Sequence, residues 1–192
     1  LNGNEQNIRS LYKFNAGNGN VLYDYSGNQN HGIIFGSNWE LNDQNPNLHS
    51  VPNEFSTIQE AINYSFDGDT VLVAQGTYYE NINFNGKKIV VMGEDKESTI
   101  IDGGQNGSVV TFSNGENYDA IIKNFTLVNG RNFYAKGGGI DISSSSPTLI
   151  NLLVSNNSNT NGEHGSGITV FNGDPTLSNI VLNEHDGDGA FY

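Results

Sequence analysis

The chain is 192 residues long, with 24 Gly, 4 Pro, no Cys and 21 acidic against 8 basic residues, for a formal net charge of -13. So few cations cannot line a phosphate-tracking face, which excludes nucleic acid as a partner, and a chain without cysteine is not a disulfide-stapled scaffold. No run of about 20 apolar residues could insert in a membrane and no signal peptide is visible; with its acidity and its Leu1 start, the chain reads as a mature or excised, secreted protein of the extracellular space or cell surface.

The first predicted unit covers residues 1–50. Apolar residues stand there in short groups between Gly- and Asn-rich turns: Leu11, Tyr12 and Phe14, then Leu22 and Tyr23, then Ile33, Ile34 and Phe35, with Trp39 beyond. The pattern predicts a strand-rich extension. The run from Leu11-Tyr-Lys-Phe through Asp24-Tyr-Ser-Gly-Asn-Gln-Asn-His-Gly to Trp39 resembles the opening of a laminin-G or concanavalin-like lectin domain. Residues 1–50 are too few to close a two-sheet sandwich, so the lectin activity of that family is not implied. A lone hairpin is marginal in water, so these strands need a surface. It is either the flank of the chain's own coil or a neighbouring subunit reached by strand addition.

Residues 51–192 form the second predicted unit. Ser56 and Gln59 have capping-box spacing for a helix near 56–65, and Ile58, Ala61 and Ile62 give that helix one apolar face suited to plugging the open end of a coil. Short strands follow. The runs Ser56-Thr-Ile-Gln-Glu-Ala-Ile, Asp67-Gly-Asp-Thr-Val-Leu-Val, Gly76-Thr-Tyr-Tyr-Glu-Asn-Ile and Ile101-Asp-Gly-Gly, in that order, resemble the start of right-handed parallel β-helix proteins of the pectate-lyase-like kind, common among bacterial secreted and surface proteins. The resemblance implies an all-β solenoid. It does not imply an activity, because that fold hosts lyases, hydrolases, esterases, adhesins and passive stalks.

An internal repeat supports the same architecture from the residues alone. Gly137-Gly-Gly-Ile-Asp-Ile and Pro147-Thr-Leu-Ile-Asn return as Gly165-Ser-Gly-Ile-Thr-Val and Pro175-Thr-Leu-Ser-Asn, an offset of 28 in both cases (165 − 137 and 175 − 147). A fixed offset carrying alternating apolar strands marks stacked coils. Asn124, Asn151 and Asn179 fall in register at a bend, where their amides can bond from coil to coil as a structural ladder. The glycines at 137–139, 165 and 167 are expected at corners needing positive φ and close backbone approach.

Chemistry is harder to place. Polysaccharide lyases of the resembling fold combine acidic calcium ligands with a basic residue; no such constellation maps onto Lys87, Lys88, Lys96, Lys123, Arg131 or Lys136, and no catalytic residue or cofactor is assigned. Asp67 with Asp69 and Glu94 with Asp95 read as solvated turn carboxylates. Asp186 and Asp188, beside Glu184 and His185, are the only candidate Ca²⁺ ligands. Trp39 and Tyr134 are the candidate rings for glycan stacking. Gly187-Asp-Gly-Ala-Phe-Tyr192 begins what reads as another rung without a capping helix, which makes Phe191 and Tyr192 candidate assembly residues facing Leu11, Tyr12, Phe14, Leu22, Tyr23, Ile33, Ile34 and Phe35 of a second copy. The expected function is a non-catalytic structural or adhesive module, self-assembling head to tail. The alternative is a fragment of a polysaccharide-binding or polysaccharide-degrading surface protein.

Overall fold

The computed structural model describes residues 21, 22, 24, 26, 28–33, 47–132, 137–159, 165–183 and 185. The chain divides into two compact units, Leu1–Gln44 and Asn45–Tyr192. In the first, β1 (Val21–Leu22) pairs antiparallel with β2 (Gly32–Ile33). Asp24 closes the loop between them: its carboxylate accepts from the Ser26 and Asn30 amides and the Ser26 hydroxyl.

The second unit is a parallel β-solenoid of about four turns. Its first face stacks β3 (Leu48–Val51), β4 (Thr70–Val73), β7 (Val90–Gly93) and the first halves of β10 (Ile121–Val128), β13 (Thr148–Ser155) and β16 (Thr176–Asn183). The second face joins β5 (Gly76–Tyr79) to β8 (Thr99–Asp102) and then to the second halves of β10, β13 and β16. The third stacks β6 (Ile82–Asn83), β9 (Val110–Phe112), β12 (Ile140–Ser143) and β15 (Ile168–Phe171). Near the corner between the second and third faces, β11 (Arg131–Asn132) pairs with β14 (Ser158–Asn159).

The solenoid forms because each short β-branched run alternates its side chains across the sheet. Val71, Val91, Ile122 and Leu149 make one inward file, and Ile101, Leu127 and Val154 another; all are fully buried. The rings of Phe84 and Phe112 stack one coil apart, 4.4 Å between centroids. Each such side chain contributes about 1.5–3 kcal/mol by leaving water.

The corners differ from the sequence expectation. Left-handed backbone falls largely on asparagines, at Asn124 (φ 62), Asn151 (φ 51) and Asn179 (φ 53), and again at Asn129, Asn156 and Asn172, with Gly86, Gly104, Gly115, Gln105 and Ser144 sharing it elsewhere. Asn tolerates this region through its short polar side chain. Gly137, Gly138 and Gly139 are not left-handed; a Cβ there would collide with backbone, as at Gly138 with the Ser158 and Ser166 carbonyls. Their role is close approach, not positive φ.

One end of the solenoid carries α1 (Ile58–Tyr64), with Ile58, Ala61 and Ile62 buried. The capping box is Thr57 with Glu60, one residue later than the expected Ser56 and Gln59. Thr57 is the extended residue whose hydroxyl accepts the Glu60 amide at 3.1 Å, while the Glu60 carboxylate accepts the Thr57 amide. The solenoid completes the caps. Glu80 accepts the Ile58 and Gln59 amides at 2.9 Å each, and the Lys87 ammonium donates to the carbonyls of Ile62, Asn63 and Ser65 at 2.7 Å each. Opposite charges thus meet opposite poles of the helix dipole. Strand β3 precedes this helix and pairs with β4 in the solenoid's sheet, so residues 48–50 belong with the second unit.

Candidate functional site

The first corner places Asn124, Asn151 and Asn179 in one file. Asn179 Nδ2 donates to Asn151 Oδ1 at 2.7 Å, Asn151 Nδ2 to Asn124 Oδ1 at 2.9 Å, and Asn124 Nδ2 to the Gly93 carbonyl at 3.3 Å. Gly93 roots the file because a Cβ there would strike the Asn124 carbonyl. At the far end, Asn179 Oδ1 meets no donor among the described residues.

Strand β16 is the least covered part of the solenoid. Leu177 is 39% exposed although Leu149, its partner one coil earlier, is 0% exposed. Val181 is exposed beside it, and Ile180 and Leu182 are only partly covered, where Leu152 and Val154 of the preceding coil are buried. Among the described residues the outer edge of β16 pairs with nothing.

His185 follows this strand. Burial pushes its imidazole below the ordinary pKa of 6.5, with the nearby backbone of Asn157 and Val154 drawing it the other way; neither ring nitrogen makes a bond of full hydrogen-bonding geometry. His185 stands 28 residues after Asn157 (185 − 157), whose buried amide accepts from Gly130 and donates to the Leu127 carbonyl of the coil before.

At the opposite end, Asp69 corrects its reading as a solvated carboxylate. It is buried and accepts the Asn47 and Phe66 amides at 2.9 and 2.8 Å, with His49 Nε2 at 3.2 Å. Burial alone would raise its pKa, but the Phe66 and Asn47 amides and the His49 contact together hold it below 3.8. His49 in turn lies edge-on to Phe55 and Tyr64. Glu116, also buried, ties three coils through the Gly86 and Asn114 amides and the Ser145 hydroxyl. These carboxylates organise backbone; none is presented as an acid or base.

Near the corner of the second and third faces, Asp141 is 1% exposed and lies in register between Thr111 and Thr169. Ser108 donates to the Gly137 carbonyl, Asn132 to the Ser108 hydroxyl, and Thr169 to the Gly165 carbonyl. Among the described residues, no three or more His, Asp or Glu come together to hold a metal, and no helix is long and apolar enough to cross a membrane.

Of the remaining sequence candidates, Leu22 and Ile33 sit in β1 and β2, where Ile33 is largely exposed. Leu11, Tyr12, Phe14, Tyr23, Ile34, Phe35, Trp39, Tyr134, Asp186, Asp188, Phe191 and Tyr192 lie outside the described residues. Sequence reasoning missed Glu80, Lys87 and Glu116. Comparison of the chain with protein-family models, with curated proteins and with solved structures finds no match in any of the three.

Proposed function

We propose that this chain is a non-catalytic structural or adhesive module of an extracellular surface, akin to the pectate-lyase-like β-helix proteins its sequence resembles, and that copies associate end to end through β16. The observation that carries this reading is the contrast between Leu149 and Leu177, equivalent inward positions that are 0% and 39% exposed. A leucine left in water forfeits part of a burial worth about 1.5–3 kcal/mol, and an open strand edge is a template for another strand. Asn179 Oδ1, which meets no donor among the described residues, adds a polar docking point on the same strand. An interface that repeats without closing produces a filament.

The polysaccharide reading draws on a different observation, the exposed rings of Tyr79, Tyr118 and Phe171, which offer flat apolar faces of the kind sugars stack on. Sedimentation and electron microscopy of the native chain beside Leu177→Glu separate the two. Concentration-dependent fibres from the native chain, lost in Leu177→Glu, are expected. Monodisperse particles from both would sink self-association; retention on a polysaccharide column would then favour the binding module, and product release the enzyme.

A further inference from the structure

The chain holds eight Asn-Gly pairs, beginning at Asn2, Asn18, Asn85, Asn106, Asn114, Asn129, Asn161 and Asn172. Glycine places no side chain between its own amide and the preceding Asn carboxamide, so such pairs are where an asparagine side chain is most easily attacked by backbone. The reaction is balanced without any co-reactant but water. The glycine amide nitrogen, losing its proton, forms a bond to Asn Cγ; the Cγ–Nδ2 bond breaks and ammonia leaves with that proton. Water then opens the cyclic imide to aspartate or to its isomer linked through the side chain.

Whether a pair can react turns on the glycine amide, because an N–H committed to a hydrogen bond is not available as a nucleophile. Five of the pairs lie among the described residues, and they fall into two classes. The Gly86 amide donates to Glu116 Oε1 at 2.8 Å, the Gly107 amide to the Arg131 carbonyl at 2.9 Å, and the Gly130 amide to Asn157 Oδ1 at 2.7 Å. The Gly115 and Gly173 amides donate to nothing among the described residues, and both pairs, Asn114 with Gly115 and Asn172 with Gly173, are exposed. Their asparagine amides are held only loosely, Asn114 Nδ2 to Asn83 Oδ1 at 3.4 Å and Asn172 Nδ2 to Ser144 Oγ at 3.2 Å.

We infer that Asn114 and Asn172 are self-modification sites, converting spontaneously to aspartate and isoaspartate in the folded protein, while Asn85, Asn106 and Asn129 are protected by the hydrogen bonds of the glycines after them. Both reactive sites lie on the corner between the third and first faces. Conversion at Asn114 sets a new carboxylate beside buried Glu116, and conversion at Asn172 removes the amide that reaches back to Ser144. The product is a carboxylate, and in the isomer the backbone is longer by one carbon, at a corner where the chain must bend.

The test is to age the full chain in mildly alkaline buffer and to map amide-to-acid conversion and isoaspartate by peptide mass spectrometry, with a second sample aged in denaturant. In the folded sample Asn114 and Asn172 are expected to convert at least about fivefold faster than the three protected sites, the factor that breaking one hydrogen bond imposes on the population able to react. In denaturant all five should react alike. Equal rates in the folded sample, or fastest conversion at Asn85, Asn106 or Asn129, would overturn the inference. Glu116→Ala provides a second arm: it frees the Gly86 amide, so Asn85 alone should join the fast class. If that variant unfolds, Asn106 and Asn129 will accelerate as well; if Asn85 stays slow in a folded variant, the hydrogen bond is not what protects it.

Discussion

Asn151 does two jobs at one position: it occupies left-handed backbone at φ 51 and it passes a hydrogen bond between Asn179 and Asn124. The jobs separate by substitution. Asn151→Gly keeps the backbone and loses the bonds, while Asn151→Ala loses the bonds and adds the strain of a Cβ in the left-handed region, costing about 1–2 kcal/mol more. Chemical denaturation of the two variants should show that order, and equal midpoints would mean that the corner is not strained.

His185 offers a second residue-scale test. Its folded pKa is depressed below 6.5, so the folded state disfavours the proton that the unfolded state accepts. Stability is therefore complete above pH 6.5 and is lost as pH falls below it. The loss should be local, appearing as faster hydrogen exchange in β16 under mild acid. His185→Asn, which restores the residue found one coil earlier, should remove that pH dependence; a variant as acid-sensitive as the native chain would place the titrating group elsewhere.

At the scale of elements, α1 is seven residues long, well short of what holds together alone in water. It persists because the solenoid, through Glu80 and Lys87, completes the caps that its own Thr57 and Glu60 begin. Lys87 satisfies three carbonyls, and burial lowers its pKa, opposed by Asp67 and Asp69. Lys87→Met should cost about 2 kcal/mol, the penalty for stranding such carbonyls, and should speed exchange in 58–65 before the rest of the solenoid opens. Exchange unchanged in that segment would show that apolar packing of Ile58, Ala61 and Ile62 suffices. The helix and its apolar face were legible from the spacing of those three residues. Its caps were not, because Glu80 and Lys87 are distant in sequence and carry no local pattern. The one-residue slip in the capping box has a similar origin: Ser56 and Thr57 are both good caps, and only the backbone decides between them.

For the whole molecule, the 28-residue offset between the last two coils and the Asn file made the stacked coils readable, since a repeat of this kind leaves few other ways to bury its alternating side chains. The earlier coils keep other spacings (Ile121↔Thr148, Val90↔Ile121 and Thr70↔Val90). Which residues bend the corners was not readable. Gly and Asn both qualify, and the choice depends on how near the adjacent coil's backbone comes, as Gly138 shows against Ser158 and Ser166. Nor could sequence reveal Asp69 as buried, because two of its partners are backbone amides and the third, His49, lies 20 residues earlier with no local pattern to join them. The uneven cover along the solenoid predicts uneven tolerance of the same change. Leu149→Ala should cost about 2–5 kcal/mol, as a fully buried leucine does, and Leu177→Ala clearly less in dilute solution. If thermal or urea unfolding at low concentration gives equal losses, β16 is covered without a second copy.

The asparagine file has a direction. Each of its three amides gives toward the earlier coil, Asn124 and Asn151 also receive from the later one, and the file ends on the Gly93 carbonyl. Cut between any two coils, the solenoid would yield one piece ending in a waiting acceptor and one beginning with a waiting donor. The two surfaces are unlike each other and match only in their original sequence. The stack thus carries an arrow along its axis, and pieces of it can be rejoined head to tail but not head to head.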